Sequence, residues 1–281
     1  MRRPLMPGVP RSLALISLLA TATVPIGAAQ TPAKPKAERV LMDEMTTTEV
    51  RDAIAAGKTI VLLFNGSTEQ TGPHVVLGKH NFKARYLGER MARELGNALV
   101  APVMPFAPTS GELMKFPGTI DLSPETFSRV NEEVTASLVK AGFKYVILLG
   151  DHGGNQDPLK ALAPKLDVRY RPQGVRVFFS GDSYAKADAE VEAYLKARAF
   201  PPSNHGGVAD TSEVWAVGAA YVRPERIAMG DPVNRDSRGA LIGPTGVEGD
   251  PRRSSVALGR IFNDIKVKDG VDEIRRLIKS Q

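Results

Sequence analysis

TIVLLFNGSTEQTGPHVVLGKH, residues 59–80, opens with Thr59 and five apolar residues, Ile60 to Phe64, and passes at once into a polar stretch holding Gly66, Gly72 and Gly78. A short continuous apolar run bounded by turn residues reads as a strand buried on both faces. Three further short runs also read as buried strands: Leu99 to Met104, Tyr145 to Leu149 and Val175 to Phe179. Between and after them lie helical patterns over Phe82 to Leu95, Glu125 to Lys140, Ala187 to Ala199 and Thr211 to Tyr221. The second of these is preceded by Ser123-Pro124, an N-cap followed by a first-turn proline. Alternation of this kind predicts an α/β fold: a mostly parallel central sheet flanked by helices on both faces, with its active site beyond the carboxyl ends of the strands.

Outward from this core, the 281-residue chain is 42% hydrophobic and 24% charged, the composition of an ordinary globular protein. Residues 1–29 read as a secretory signal: Arg2, Arg3 and Arg11 supply positive charge, Ser12 to Ala22 the apolar run, and Gly27-Ala28-Ala29 the small residues for cleavage. Pro25 and Gly27 interrupt the stretch at the lower length limit for a span, so the mature protein is expected off the membrane, periplasmic or secreted. A Pro- and Lys-rich leader follows over 30–40, and 41–281 is expected to be one domain. The absence of cysteine suits an oxidising compartment and removes disulfides as a source of stability. The formal charge of +6 falls to roughly +3 without the three leader arginines, and the remaining bases are scattered, so nucleic acid is not an expected partner.

The chain has four histidines, each in a glycine-containing polar segment: Gly72-Pro73-His74, Gly78-Lys79-His80, Asp151-His152-Gly153-Gly154-Asn155 and Asn204-His205-Gly206-Gly207. Glu69 follows the end of the first strand, and His152 follows the Tyr145 strand beside two glycines that allow close backbone approach to a ligand. Asp210 lies near the start of the Thr211 helix, as a ligand or as an N-cap. Two imidazoles and one or two carboxylates at one sheet edge form a nitrogen and oxygen set suited to zinc, manganese or ferrous iron. The turn-rich stretch Asp231 to Pro251 is expected to border the active site or a subunit contact.

These segments resemble the creatininase family of metal-dependent amidohydrolases. Gly66 to His74 is similar to its GSxEQHGPH signature, Phe116 to Ile120 to FPGT, Asp151 to Asn155 to NGHGGN, His205 to Ser212 to HAGxxETS, and Gly246 to Pro251 to a late element. The resemblance covers essentially the whole mature chain. It implies a three-layer α/β sandwich, often oligomeric, with a binuclear metal site that activates water against a small amide. Carried over by position, Glu69 and His152 match ligands of the first metal, and Asp210 falls where a glutamate serves the second. Thr71, however, replaces a histidine ligand of the second metal, and His80 stands where an aspartate bridges the two.

A bridging carboxylate has two oxygens to share, whereas neutral imidazole offers one lone pair to one cation. One ion per chain is therefore expected, zinc first, held by Glu69, His80 and His152, with Asp210 as a fourth ligand or the base. Asp151 is expected to orient water, to hold an imidazole or merely to face solvent. His205 is expected to meet the developing charge of a tetrahedral intermediate. His74, Thr71, Phe116, Thr119 and Asn155 are expected to contact a small-molecule substrate, in a homo-oligomer. The opposing expectation is a binding protein that kept the fold and lost the chemistry, since the two ligand substitutions serve either reading.

Overall fold

A computed structural model describes residues 38–109, 111–233 and 243–280. The expected signal, most of the expected leader and part of the Asp231 to Pro251 stretch lie outside the described residues. The first strand, β1 (Ile60–Asn65), is buried at every position, as a strand covered on both faces must be. It pairs in parallel with β2 (Ala98–Val100) and β3 (Tyr145–Gly150), and β3 pairs in parallel with β4 (Arg176–Phe179), giving the order β2-β1-β3-β4. Leu62 lies opposite Ile147, so the carboxyl ends of β1 and β3 finish level at Asn65 and Gly150. β2 is shorter than the expected Leu99 to Met104, because Pro102 has no N–H to give the ladder.

Seven α-helices surround this sheet among the described residues: α1 (Thr47–Ala55), α2 (Lys79–Leu95), α3 (Pro124–Ala141), α4 (Gly153–Tyr170), α5 (Ala185–Lys196), α6 (Val208–Val217) and α7 (Val256–Lys279). α2 packs with α7 and α3 with α4, which gives a helix layer on each face of the sheet and bears out the expected α/β sandwich. Their apolar faces, Leu87 and Met91 of α2, Phe127 of α3, Leu159 and Leu166 of α4, and Val271 and Ile274 of α7, close on the strands in one core. Thr46 and Glu49 form a capping box at α1, and Ser123 caps α3 by accepting from Thr126 N. α6 stops at Val217, before the expected Tyr221, where Gly218 adopts an extended backbone that no helix contains.

Three helices escape the sequence pattern. α4 contains Gly153, Gly154, Pro158 and Pro164, and it persists because Leu159, Leu162, Ala163 and Leu166 form a buried face while Pro164 lies on the exposed one. α1 and α7 were likewise unforeseen, and the start of α2 moves from Phe82 back to Lys79, which becomes decisive at the site.

Asp167, near the end of α4, ties that helix to β4. Its Oδ1 accepts from Arg176 Nε at 2.8 Å and Val177 N at 3.0 Å, and its Oδ2 from Arg171 at 2.5 Å. Partial burial pushes the Asp167 carboxyl up, but these donors outweigh it and hold it at about 2. A carboxylate depressed by folding contributes stability above its unfolded pKa near 4 and loses it as the pH falls toward 2. Asp167→Asn is therefore expected to cost about 1–2 kcal/mol in urea denaturation at pH 7 and almost nothing at pH 2.

Candidate metal centre and its cavity

The loop after β1 is fastened before it reaches the site. Asn155 Nδ2 donates to Asn65 O at 2.9 Å and Gly66 O at 3.0 Å, and Glu69 N donates to Leu77 O at 3.0 Å. Gly154 must be glycine for a reason other than ligand approach, since a Cβ there would stand 1.8 Å from Pro108 O. The Glu69 carboxylate, 1% exposed, ends between two imidazoles: Oε1 is 2.9 Å from His80 Nε2 and Oε2 is 2.8 Å from His152 Nε2. Thr109 Oγ1 donates to the same Oε2 at 3.3 Å. His80 belongs to the first turn of α2, and His152 is the N-cap of α4, accepting from Gly154 N on Nδ1 at 3.2 Å.

On the far side of His80, Nδ1 is 2.7 Å from Asp151 Oδ2. Both ring nitrogens of His80 therefore face carboxylates, Asp151 on one side and Glu69 on the other. Each contact needs a proton or another cation between nitrogen and oxygen, and a neutral imidazole carries one proton for the two. One donor atom from each of Glu69, His80 and His152 falls within 4.8 Å of the others, so the three side chains form a candidate divalent-metal cluster of the two-imidazole, one-carboxylate type.

The electrostatics around the cluster are those of a buried charge chain. Burial raises the Glu69 carboxyl, yet the hydrogen bonds from His152 and His80 prevail and hold it well below the usual range. Burial and Lys79 push the His80 imidazole down, while Asp151 and Glu69 push it up and win. Behind Asp151, Lys83 Nζ lies 3.3 Å from Asp151 Oδ2 and 2.5 Å from Glu213 Oε2, and Lys266 of α7 pairs with Asp188 and lies 3.8 Å from Glu213. Lys79, Lys83 and Lys266 are all buried.

Asp210 reaches the cluster's edge but is already engaged. Its Oδ2 accepts from Lys79 Nζ at 2.5 Å and Gly206 N at 2.9 Å, and Gly207 rather than Asp210 occupies the N-cap of α6. His205 Nε2 donates to Gln70 O at 2.8 Å, so the ring faces Glu69 Oε1, 3.9 Å away, with the lone pair of Nδ1. That orientation cannot donate to an oxyanion, the role expected for it. Burial, aided by Lys79, lowers the His205 imidazole to about 4 and leaves it neutral near pH 7.

A cavity of about 1140 Å³ opens from the cluster, bounded by Glu69, His80, His152, His205 and Asp210 at one end and by Val191, Leu195 and Phe200 at the other. The five residues expected to contact substrate do not line it. His74 Nε2 is 2.8 Å from Thr211 Oγ1 in the core, Asn155 braces the β1 loop, and Thr71 is fully buried. Thr119 Oγ1 accepts from Gln70 N at 3.1 Å, and Phe116 is half-buried outside the cavity. The residues overlooked in the sequence are Lys79, Lys83, Glu213 and Lys266. A signal exists for Lys79 alone, once α2 is seen to begin there: a cation in the first turn of a helix opposes its dipole and needs an acidic partner.

The family model described as creatinine amidohydrolase matches residues 43–274. Over 232 residues the chain is 27% identical to the mycofactocin precursor peptide peptidase of Mycobacterium ulcerans (strain Agy99), covering 77% of this chain and 84% of that one. It is also 27% identical to creatinine amidohydrolase of Pseudomonas putida over 205 residues, covering 69% and 77%. Among solved structures, a manganese creatininase superposes with a TM-score of 0.71 at 23% identity, over 85% of this chain and 98% of the other, a likeness of fold.

Proposed function

The chain belongs to the creatininase family, and from that premise we propose that it is a metal-dependent hydrolase of a carbon–nitrogen bond, most simply the amide bond of a small molecule. The observation that carries this reading is the pair of imidazoles clasping the Glu69 carboxylate at the end of a large cavity. One ion, zinc first and manganese or iron as alternatives, would be held by Glu69, His80 and His152. Bound there, it supplies Lewis acidity, acidifying water and polarising a carbonyl.

The chain's own residues do the rest. Asp151 fixes the His80 ring, and the Thr109 hydroxyl steadies the second Glu69 oxygen. His205 presents the Nδ1 lone pair to the cavity, a neutral acceptor for a water proton whose conjugate acid is strong enough to return it to the leaving amine. The cavity exceeds what a small ring needs and continues past Val191, Leu195 and Phe200 along an apolar wall. That extent, with the peptide named for the Mycobacterium ulcerans relative, supports short peptides as a second substrate class. Arg2, Arg3 and Arg11 around the apolar Ser12 to Ala22 run support export, and with it substrates met outside the cytoplasm.

Chelation followed by dialysis is expected to abolish hydrolysis across a panel of cyclic amides and short peptides, and zinc or manganese to restore it within a factor of about two. Undiminished turnover in metal-free protein would contradict the reading. No turnover by the metal-loaded protein on any amide would favour a binding protein instead, the outcome that Thr71 and His80 at the family's ligand positions would then explain.

A further inference from the structure

Lys79 is the first residue of α2 and is 1% exposed. Its Nζ lies 2.5 Å from Asp210 Oδ2 and 3.9 Å from Glu69 Oε1, at the cavity wall beside the metal cluster. An ammonium has three N–H donors; Asp210 takes one, and the Glu69 oxygen lies beyond hydrogen-bond distance. The position is costly, being both desolvated and at the positive end of a helix dipole. A purely structural lysine would spend its donors on protein acceptors, whereas this one keeps donors without an acceptor while lining the cavity that holds the cluster.

The charge balance of the surroundings agrees. Glu69, Asp151, Asp210 and Glu213 face Lys79, Lys83 and Lys266, with Asp188 at the rim as one more acid. One divalent cation brings this set close to neutrality, while a second would leave a surplus of positive charge in a buried space.

Resting on the hydrolase reading above, we propose that Lys79 is the built-in second cation of this centre: it fills the gap between Glu69 and Asp210, so the chain holds one metal ion, and it donates an N–H to the carbonyl oxygen of the scissile amide. It thereby supplies the oxyanion donor that His205, tied to Gln70, does not.

The test is zinc per chain by elemental mass spectrometry after equilibration with excess zinc, together with kcat and KM. Wild type is expected to hold one zinc and Lys79→Ala to admit a second at the freed Asp210. Two zinc ions in wild type, or only one in a folded Lys79→Ala, overturns the blocking role. Because Lys79→Ala strands the Asp210 charge and can fail to fold, the donor role is read from Lys79→Met/Asp210→Asn against Asp210→Asn alone. The double variant is expected to show a kcat about 100-fold lower with KM nearly unchanged, and equal kcat in the two overturns it. A wild type without zinc sinks the hydrolase reading and this proposal with it, whereas one zinc and full turnover in every variant sinks only this one.

Discussion

His152→Ala is expected to lower metal-dependent turnover by roughly 10³-fold or more while leaving the fold intact. The imidazole is the N-cap of α4 and one of the two imidazoles that hold Glu69. Its loss leaves Glu69 and His80 as an incomplete set, since two ligands do not fix a catalytic zinc site. The structural penalty is that of a lost cap, about 1 kcal/mol, because α4 remains anchored through Leu159, Leu162 and Leu166. Steady-state kinetics with excess zinc, beside a thermal melt, separate the two effects. A variant that keeps its turnover would remove His152 from the chemistry altogether.

The largest effect on stability is expected at Lys83. Its ammonium lies between Asp151 and Glu213, and all three groups are buried. Burial pushes the Lys83 amine down, yet Asp151 and Glu213 overcome it and hold it well above its ordinary value. Lys83→Met removes that charge and leaves Asp151 with His80 alone and Glu213 with Lys266 at 3.8 Å, two buried carboxylates each short of a partner, which is expected to cost about 3–5 kcal/mol in urea denaturation. The same change releases Asp151 from its second partner and so loosens the orientation of His80. Adding Glu213→Gln to Lys83→Met is expected to recover part of the loss, because one stranded charge is removed. A cost under about 1 kcal/mol for Lys83→Met would mean that the chain of charges is screened by water.

The strands and the three ligand candidates were legible because their signals are local. β1 and β3 are almost wholly apolar runs and β4 is apolar after Arg176, and Glu69 and His152 follow the first two within a few residues. α4 was hidden because glycine and proline lower its local preference, and only the core contacts of Leu159 and Leu166 restore it. The lysines were hidden for a different reason. Lys79 and Lys83 acquire meaning only when α2 meets Asp210 and Glu213 of α6, more than a hundred residues later, and Lys266 of α7. A three-residue shift in the start of α2 separates a solvated Lys79 in a loop from a buried one at the metal cluster.

On the reading proposed above, Glu69, His80 and His152 hold one catalytic divalent ion. Elemental mass spectrometry on purified wild-type protein, after zinc loading and gel filtration, tests it most directly. About one zinc per chain, lost in His80→Ala, is the predicted result. No retained metal, or equal metal in the His80→Ala protein, would contradict it.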